Sequence, residues 1–315
     1  MAQATPPAGI IGAALTPFTP DNRVDLGRLE PLLDFMVDHC DAVSLLGAEV
    51  SEYQILGDAD RVETLRTAID TVAGRVSVLA GASSPDVAEV LRLAESAASA
   101  GADFIQVLMP RHPGGNPARV TDLIAYFERI AESSPLPIIA YHNPSQGTDT
   151  DAATMVELSR IDGVVGFKES SRDLTKIGRL CAEIDSAGHA RYYTTMQPLL
   201  TTLQLGGSGA MMPPPGTLVG AQVVAALRDG DPERAARWQR HFRLFPSRWA
   251  RYGLTVTMKA AMGALGYDLG GPAAPFGAMS DTDAELLAQQ LESFDLLSLL
   301  PVPAAAGASA KGHTS

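Results

Sequence analysis

Short apolar runs alternate with helix-like segments along most of this chain. The runs are rich in small and β-branched residues, which is typical of strands buried on both faces of a parallel sheet. In the segments between them, apolar residues recur every three or four positions, as they do in amphipathic helices. This alternation predicts a parallel sheet wound by helices.

Eight strands and six clear helices are predicted in the first part of the chain. The strands are predicted at Gly9–Leu15, Ala42–Leu46, Val76–Ala80, Phe104–Met109, Ile138–His142, Val164–Phe167, Arg191–Thr194 and Ala210–Met212. The clearest helices are predicted at Leu26–His39, Asp60–Val72, Asp86–Ala100, Val120–Ala131, Asp173–Ile184 and Thr217–Arg228. Eight strand–helix units predict an α/β fold of the (β/α)8 TIM barrel type, whose active site gathers the loops that follow the strands.

The remainder of the chain predicts an appendage and two tails. Helical spacing continues at Pro232–Phe242, Leu254–Leu265 and Asp281–Leu297 without an intervening linker. We therefore expect a barrel over residues 9–230 and a helical appendage of the same domain over residues 231–300. Residues 1–8 and 301–315 are rich in proline and small residues with little to bury, so both are predicted to be disordered.

Composition restricts the possible partners. The formal net charge of -12 disfavours a nucleic-acid surface, which needs clustered lysine and arginine. No long uncharged apolar run or secretory signal is visible, so a cytoplasmic protein without a membrane span is expected. Cys40 and Cys181 are isolated and the histidines lack ligand spacing, so the cysteines are expected to be buried apolar residues and no metal or other cofactor is expected. Small molecules and copies of this chain remain as partners.

The residues at the ends of the predicted strands are candidates for chemistry, and Lys168 comes first. It ends the sixth strand, where a poorly solvated ammonium has a lowered pKa and the neutral amine can attack a carbonyl to form a Schiff base. A lysine at a strand edge, paired with Glu169, is the structural alternative. Tyr141 ends the fifth strand and is either a core tyrosine or a proton carrier that faces the lysine.

Two further loops offer candidate binding residues. The second strand leads into Glu49, Val50, Ser51 and Glu52, which places carboxylates and a hydroxyl at the barrel mouth. The glycines of the run Gly206–Gly209 would let a ligand approach the backbone, and Met211 would add an apolar wall. Such a glycine run is also compatible with a phosphate cradle or a tight turn.

Taken in order, a set of motifs resembles the dihydrodipicolinate synthase / N-acetylneuraminate lyase family from about Gly9 to Leu297. The motifs are Thr16-Pro17-Phe18, Leu56 with Asp60-Arg61, Tyr141-His142-Asn143-Pro144, Gly166-Phe167-Lys168-Glu169-Ser170-Ser171, Gly206-Gly207-Ser208-Gly209 and Lys259-Ala260-Ala261. The resemblance implies a TIM barrel with C-terminal helices, a class I aldolase or lyase mechanism and a homotetramer built as a dimer of dimers. It also implies that Lys168 is the Schiff-base lysine and Tyr141 the proton-shuttling tyrosine.

Three positions depart from the family. The family's Gly-Thr-Thr-Gly-Glu loop, which binds the carboxylate of pyruvate, falls on Ala48–Glu52, where an anionic Glu49 would repel a carboxylate. His112 stands where synthases carry a tyrosine that completes a proton relay across a subunit interface. Gln146 stands where the lysine-pathway synthases carry an arginine for the second substrate's carboxylate. The chain is therefore expected to be a divergent member that does not condense pyruvate with aspartate semialdehyde.

Glu49 and His112 also permit a hypothesis about proton transfer. If the two face each other beside Tyr141, a carboxylate and an imidazole can exchange a proton outright. The alternative places His112 in the subunit interface and makes Glu49 a loop cap.

The function most favoured by the sequence is a Schiff-base-forming lyase that acts on a 2-oxo acid such as pyruvate, or on a related carbonyl substrate. Its expected substrate-binding residues are Glu49, Val50, Ser51, His112, Gly209 and Met211. A barrel that has lost the chemistry and serves as a ligand-binding or assembly protein is the alternative. A phosphate-binding isomerase and a zinc-dependent aldolase are less favoured, because cations near Gly206–Gly209 and metal-ligand spacing are both lacking.

Overall fold

A computed structural model describes residues 4–300 of the chain, and in it eight parallel strands close into a barrel in sequence order. The strands are β1 (Gly9–Ala13), β2 (Ala42–Leu45), β3 (Ser77–Gly81), β4 (Phe104–Leu108), β5 (Ile138–His142), β6 (Val164–Glu169), β7 (Arg191–Thr194) and β8 (Gly209–Met212). The first strand pairs with β2 on one side and with β8 on the other, which closes the ring. The predicted TIM barrel is confirmed.

Eleven α-helices accompany the strands within residues 4–300. They are α1 (Leu26–His39), α2 (Asp58–Val72), α3 (Val87–Ala100), α4 (Val120–Ser133), α5 (Ala152–Leu158), α6 (Leu174–Leu180), α7 (Leu199–Gln204), α8 (Gly216–Arg228), α9 (Pro232–Gln239), α10 (Leu254–Ala264) and α11 (Asp281–Glu292). The helices α5 and α7 are too short to show a clear period in the sequence. The last predicted helix ends early, at Glu292, and a separate 3₁₀ turn follows at Leu296–Leu299.

Aspartates begin several of these helices. The first N–H groups of a helix lack partners within it, and a preceding aspartate carboxylate accepts from them, which stabilises a helix by about 1 kcal/mol. Four of the helices that surround the barrel begin in this way, behind Asp25, Asp86, Asp151 and Asp173. The local sequence thus determines where these four helices begin.

The core fills the barrel and the layer between strands and helices. Every residue of β1 and β5 is buried, as expected for strands covered on both faces. Cys40 and Cys181 are buried and unpaired, which confirms that prediction. Among residues 4–300, no helix is both long enough and apolar enough to cross a membrane.

The N-terminal segment packs against the barrel just before β1 begins. Pro6 is buried, and the carbonyl of Pro7 accepts a hydrogen bond of 2.7 Å from the Tyr193 hydroxyl. The remaining parts of the two predicted tails, residues 1–3 and 301–315, lie outside the described residues.

Candidate active site

A cavity of about 470 Å³ opens at the carboxyl ends of the strands. Its polar and charged lining comes from the ends of β5 and β6 and from the loops after β2, β5, β6 and β7, and its apolar lining comes mainly from β8 and the start of α10. The lining residues are Ala13, Ala48, Glu49, Val50, Tyr141, Asn143, Pro144, Ser145, Gln146, Lys168, Ser170, Ser171, Arg172, Thr195, Met196, Met211, Met212, Pro213, Leu254 and Thr255. The cavity therefore occupies the end of the barrel at which this fold places its chemistry.

Lys168 projects into this cavity from the end of β6. The residue is only 6% exposed, and its Nζ donates a hydrogen bond of 2.7 Å to the Ser170 hydroxyl. The same Nζ lies 3.8 Å from the centroid of the Tyr141 ring, because Tyr141 and Lys168 are paired residues of β5 and β6. The amine is held in place by its neighbours and remains open to a ligand in the cavity.

Burial shifts the protonation of this amine. Loss of solvation lowers the pKa of Lys168 to about 8, although the Glu49 and Glu169 carboxylates act in the opposite direction. Arg172 adds to the lowering. About one tenth of the amine is therefore neutral at pH 7. The neutral form is the one that attacks a carbonyl carbon.

The same shift predicts that Lys168 lowers the stability of the fold. Since the pKa is about 8 in the folded chain and about 10.5 in an unfolded one, stability should rise with pH between those values. Below pH 8 the buried charge costs on the order of 3 kcal/mol. Lys168→Met should therefore raise the free energy of unfolding at pH 7 by about 1–3 kcal/mol, since the lost Ser170 hydrogen bond offsets part of the gain.

Urea denaturation at several pH values tests this expectation. The gain from Lys168→Met should shrink as the pH rises from 8 to 10. Lys176→Met is the matched control, because its ammonium donates to the Thr150 carbonyl and lies 3.6 Å from Asp149, and it should not stabilise. A Lys168→Met protein that is less stable than the native chain at pH 7 would contradict the assigned cost of burial.

Tyr141 connects the lysine to a carboxylate. The Tyr141 hydroxyl donates to Glu49 Oε2 at 2.7 Å and accepts from the Asn143 side-chain amide at 2.9 Å. Burial, and then the Glu49 carboxylate, hold the pKa of Tyr141 well above its usual value. The phenol therefore keeps its proton near neutral pH. It can donate that proton only if it accepts another one at the same time.

Four of the predicted binding residues, Glu49, Val50 and Ser51 after β2 and Met211 within β8, lie at or beside the cavity. Val50 and Met211 are buried side chains that line it. Ser51 is also buried, but its hydroxyl donates to the Ala48 carbonyl at 2.6 Å, and it is not among the lining residues. The serine therefore braces the loop, while Val50 and Met211 form part of the cavity wall.

The prediction that Gly209 contacts a ligand in this cavity needs correction. Gly209 is the first residue of β8, so it lies at the amino end of the barrel, whereas Lys168 lies near the carboxyl end of β6. A Cβ atom at Gly209 would come within 1.8 Å of the Gly9 carbonyl oxygen. The missing side chain therefore lets β1 and β8 pair and close the ring.

His112 is likewise not brought to Glu49 within one chain. It is exposed on the loop after β4, where its Nδ1 accepts from the Gly114 amide at 3.1 Å. It borders a separate cavity that also touches Tyr53 and Gln146. The proposed relay between Glu49 and His112 is therefore not formed within a single chain.

Glu52 is the one residue of the family's Gly-Thr-Thr-Gly-Glu loop that this sequence keeps, and it forms an ion pair that holds the loop. Its Oε2 lies 2.7 Å from Lys259 Nζ, and both side chains are largely buried. Lys259 also donates to the Gly271 carbonyl and sits over the Phe18 ring. Thr16 completes the brace, because its hydroxyl donates to the Ser51 carbonyl at 2.6 Å. The loop after β2 is therefore held between the segment that follows β1 and α10.

A buried polar network behind Lys168 was missed from the sequence. Glu169 is fully buried and contacts His142 Nδ1 at 3.1 Å, the Tyr192 hydroxyl at 3.2 Å and the Ser171 amide at 2.5 Å. Burial raises the pKa of Glu169, but the hydrogen bonds from His142 and Ser171 outweigh it and leave the pKa lowered. The signal was available, because His142 and Glu169 follow the paired Tyr141 and Lys168 on neighbouring strands.

Comparison with known proteins agrees with this geometry. The model of the dihydrodipicolinate synthetase family matches residues 6–294. The chain belongs to this family. A 4-hydroxy-tetrahydrodipicolinate synthase of Caldicellulosiruptor bescii is 29% identical over 293 residues, which cover 90% of this chain and 96% of that protein.

Solved structures extend the similarity across the family. YagE, a prophage protein of the dihydrodipicolinic acid synthase family from E. coli K12 solved in complex with pyruvate, is 27% identical with a TM-score of 0.83, and the match covers 92% of this chain and 99% of YagE. An N-acetylneuraminate lyase from Mycoplasma synoviae shares the fold at 21% identity with a TM-score of 0.78, covering 91% of this chain and 97% of the lyase. By its family, this chain is a lyase-type enzyme, and its identity of 29% to the synthase marks it as a divergent member.

Proposed function

We propose that this family member is a class I lyase that forms a Schiff base between Lys168 and a 2-oxo acid such as pyruvate. The observation that supports the proposal most is the buried Lys168 amine, with a pKa of about 8, against the ring of Tyr141 inside a cavity at the barrel mouth. Both residues stand at the motif positions whose roles the family resemblance implies.

In the first step, the neutral Nζ attacks the carbonyl carbon and forms a carbon–nitrogen bond. The carbonyl oxygen takes up one proton to become a hydroxyl and a second to leave as water, while the nitrogen gives up both of its protons to become an imine and regains one to become the electron-withdrawing iminium. Tyr141 stands beside this nitrogen, so its hydroxyl can give a proton to the leaving oxygen and recover one from the amine. The imine then withdraws electrons, which favours loss of a proton or breakage of a bond at the adjacent carbon.

Glu49 gives this relay an acceptor inside the same chain. Tyr141 already donates to Glu49 Oε2, so a proton that reaches the phenol can pass on to the carboxylate. The other oxygen, Oε1, is buried without a hydrogen-bond partner among the described residues. Oε1 is therefore available to a hydroxyl group of the substrate. A hydroxyl that leaves as water needs a proton donor, and a hydroxyl that becomes a carbonyl needs a proton acceptor.

The alternative function, a barrel that binds or assembles without chemistry, is supported by one observation. Glu49 stands in the loop that binds the carboxylate of pyruvate in the family, and its charge opposes that use. The intact contact between Lys168 and Tyr141 supports the enzyme instead, because a binding protein has no need for a buried amine of lowered pKa. The family resemblance also leads us to propose a homotetramer for this chain. In that assembly the exposed His112 would contact a partner subunit.

A panel of 2-oxo acids and aldehydes, each incubated with the full chain and borohydride and followed by intact mass, tests the proposal. At least one compound should add the mass of its reduced form to one lysine. The chain has four lysines, Lys168, Lys176, Lys259 and Lys311, so peptide mapping assigns the adduct directly. An adduct with none of the 2-oxo acids would favour the binding protein.

The pH dependence of this amine should respond to Glu49. Acylation of Lys168 by a small neutral reagent should follow the neutral fraction and rise through a midpoint near pH 8. The Glu49 carboxylate raises the pKa of Lys168, so Glu49→Gln should move the midpoint to lower pH. Peptide mass spectrometry at several pH values measures it, with Glu63→Gln on α2 as the control. A midpoint that does not move, or that rises, would contradict the assigned interaction.

A further inference from the structure

Arg172 is the second positive charge of the cavity. Among the lining residues, Lys168 and Arg172 are the two cations and Glu49 is the one anion within the described part of the chain. Arg172 lies four residues beyond Lys168 on the loop after β6, and its charge is felt at the amine. No role for this residue follows from the motifs discussed above.

The two ends of the cavity carry opposite charges. Glu49 follows β2 and Arg172 follows β6, and these strands are four positions apart in a closed ring of eight. The residues therefore lie on opposite sides of the mouth, with Lys168 on the same side as Arg172, near the end of β6. An anionic group of a ligand is repelled at the β2 side and attracted at the β6 side.

The guanidinium of Arg172 has unused donors. Its Nε donates to Gln197 Oε1 at 3.1 Å, and the structure gives the group no other hydrogen bond among residues 4–300. Five N–H groups are present in a guanidinium, so most of them are free to meet a ligand. The residue also has a φ of 61°, a left-handed conformation that is uncommon for a residue with a long side chain and is often found at functional sites.

We propose that Arg172 binds a second carboxylate of the substrate, so that the preferred 2-oxo acid carries an anionic group remote from the carbonyl that reacts with Lys168. The inference rests on the function proposed above. A planar guanidinium matches a carboxylate with two parallel hydrogen bonds, which a serine or an amide cannot offer. Gln146, on the neighbouring loop after β5, lines the same cavity as a neutral group, so Arg172 is left to supply the charge.

The size of the cavity agrees with such a ligand. A volume of about 470 Å³ falls within the usual range for small-molecule sites and leaves space beyond a three-carbon acid bound at Lys168. Met196, Met211 and Leu254 provide apolar walls for the carbons between the two polar ends.

Borohydride trapping at a series of concentrations tests the inference with two probes, pyruvate and 2-oxoglutarate. The readout is the ratio of their half-saturation concentrations in the full chain. Arg172→Asn removes the charge while keeping a residue that tolerates the left-handed backbone, and it should raise the ratio of 2-oxoglutarate to pyruvate about 10- to 100-fold. Arg172→Lys should restore part of the preference, since it keeps the charge without the planar fork.

Arg111→Asn is the matched control. Arg111 is exposed on the loop after β4, where it donates to the Pro144 carbonyl, and it does not line the cavity. The Arg111→Asn variant loses the same charge as Arg172→Asn. If the ratio changes equally in both variants, the effect is only long-range electrostatic attraction, and the inference is overturned. An unchanged ratio in Arg172→Asn would also overturn it. Failure of the native chain to trap any 2-oxo acid would instead reject the proposed function.

Discussion

Lys168→Ala is expected to abolish the trapped adduct and to lower turnover by at least about 10³-fold. The nucleophile that forms the carbon–nitrogen bond is lost, and the other lysines of the described chain cannot replace it. Lys176 lies at the start of α6 with its ammonium held by Thr150, and Lys259 is buried in its pair with Glu52. Intact mass after borohydride treatment and steady-state turnover on the same compound measure the two effects.

The design of this experiment separates chemistry from folding. Lys176→Ala removes a lysine from the same part of the barrel and should trap and turn over like the native chain. The predicted gain in stability of Lys168→Met provides a second check, since a variant that is better folded but inert cannot owe its inactivity to unfolding. An adduct that persists in Lys168→Ala would place the imine on another lysine and reject the mechanism.

Tyr141→Phe is expected to lower turnover by about 10²- to 10⁴-fold while the fold is retained. The phenyl ring still packs against Lys168, so the amine should stay in place. What is lost is the hydroxyl, which donates to Glu49 and accepts from Asn143. Borohydride trapping should therefore proceed slowly to the same final adduct, with the rate of imine formation, rather than its extent, reduced.

Tyr192→Phe is the matched control for this substitution. Tyr192 is as deeply buried as Tyr141, but its hydroxyl donates to Glu169 and it does not line the cavity. Loss of that hydroxyl leaves Glu169 with His142 and Ser171 as partners, so turnover should stay within about 10-fold of the native value. If Tyr141→Phe turns over as fast as Tyr192→Phe, proton transfer does not pass through Tyr141.

The barrel and the pairing of Lys168 with Tyr141 could both be predicted from the chain. Alternating strand and helix patterns define the fold class, and residues that close neighbouring strands of a parallel barrel must meet at one end. The same rule, applied to Gly209, would have placed it at the opposite end, because it begins a strand. The error came from grouping residues around a strand without asking which end they occupy.

Other features depend on contacts that sequence does not display. Glu52 and Lys259 are 207 positions apart, and neither the loop that contains Glu52 nor the motif that contains Lys259 reveals that they form an ion pair. The left-handed backbone of Arg172 is not encoded by a glycine or asparagine, so no residue type announced it. The donation from Tyr141 to Glu49 depends on how the 3₁₀ turn at Glu49–Ser51 presents its first side chain, which a local pattern cannot specify.

The pairing of Glu52 with Lys259 has a consequence for how this enzyme can change. Lys259 of α10 holds the loop after β2 through Glu52, so we expect mutations in the part of α10 behind the cavity to move Glu49 without contacting a ligand, whereas Leu254 and Thr255 at its start line the cavity directly. Libraries for directed evolution that randomise only the strand-end loops would omit these positions. We therefore expect substitutions in α10 to alter substrate range, and exchange of the C-terminal segment with that of a relative to disturb the loop after β2.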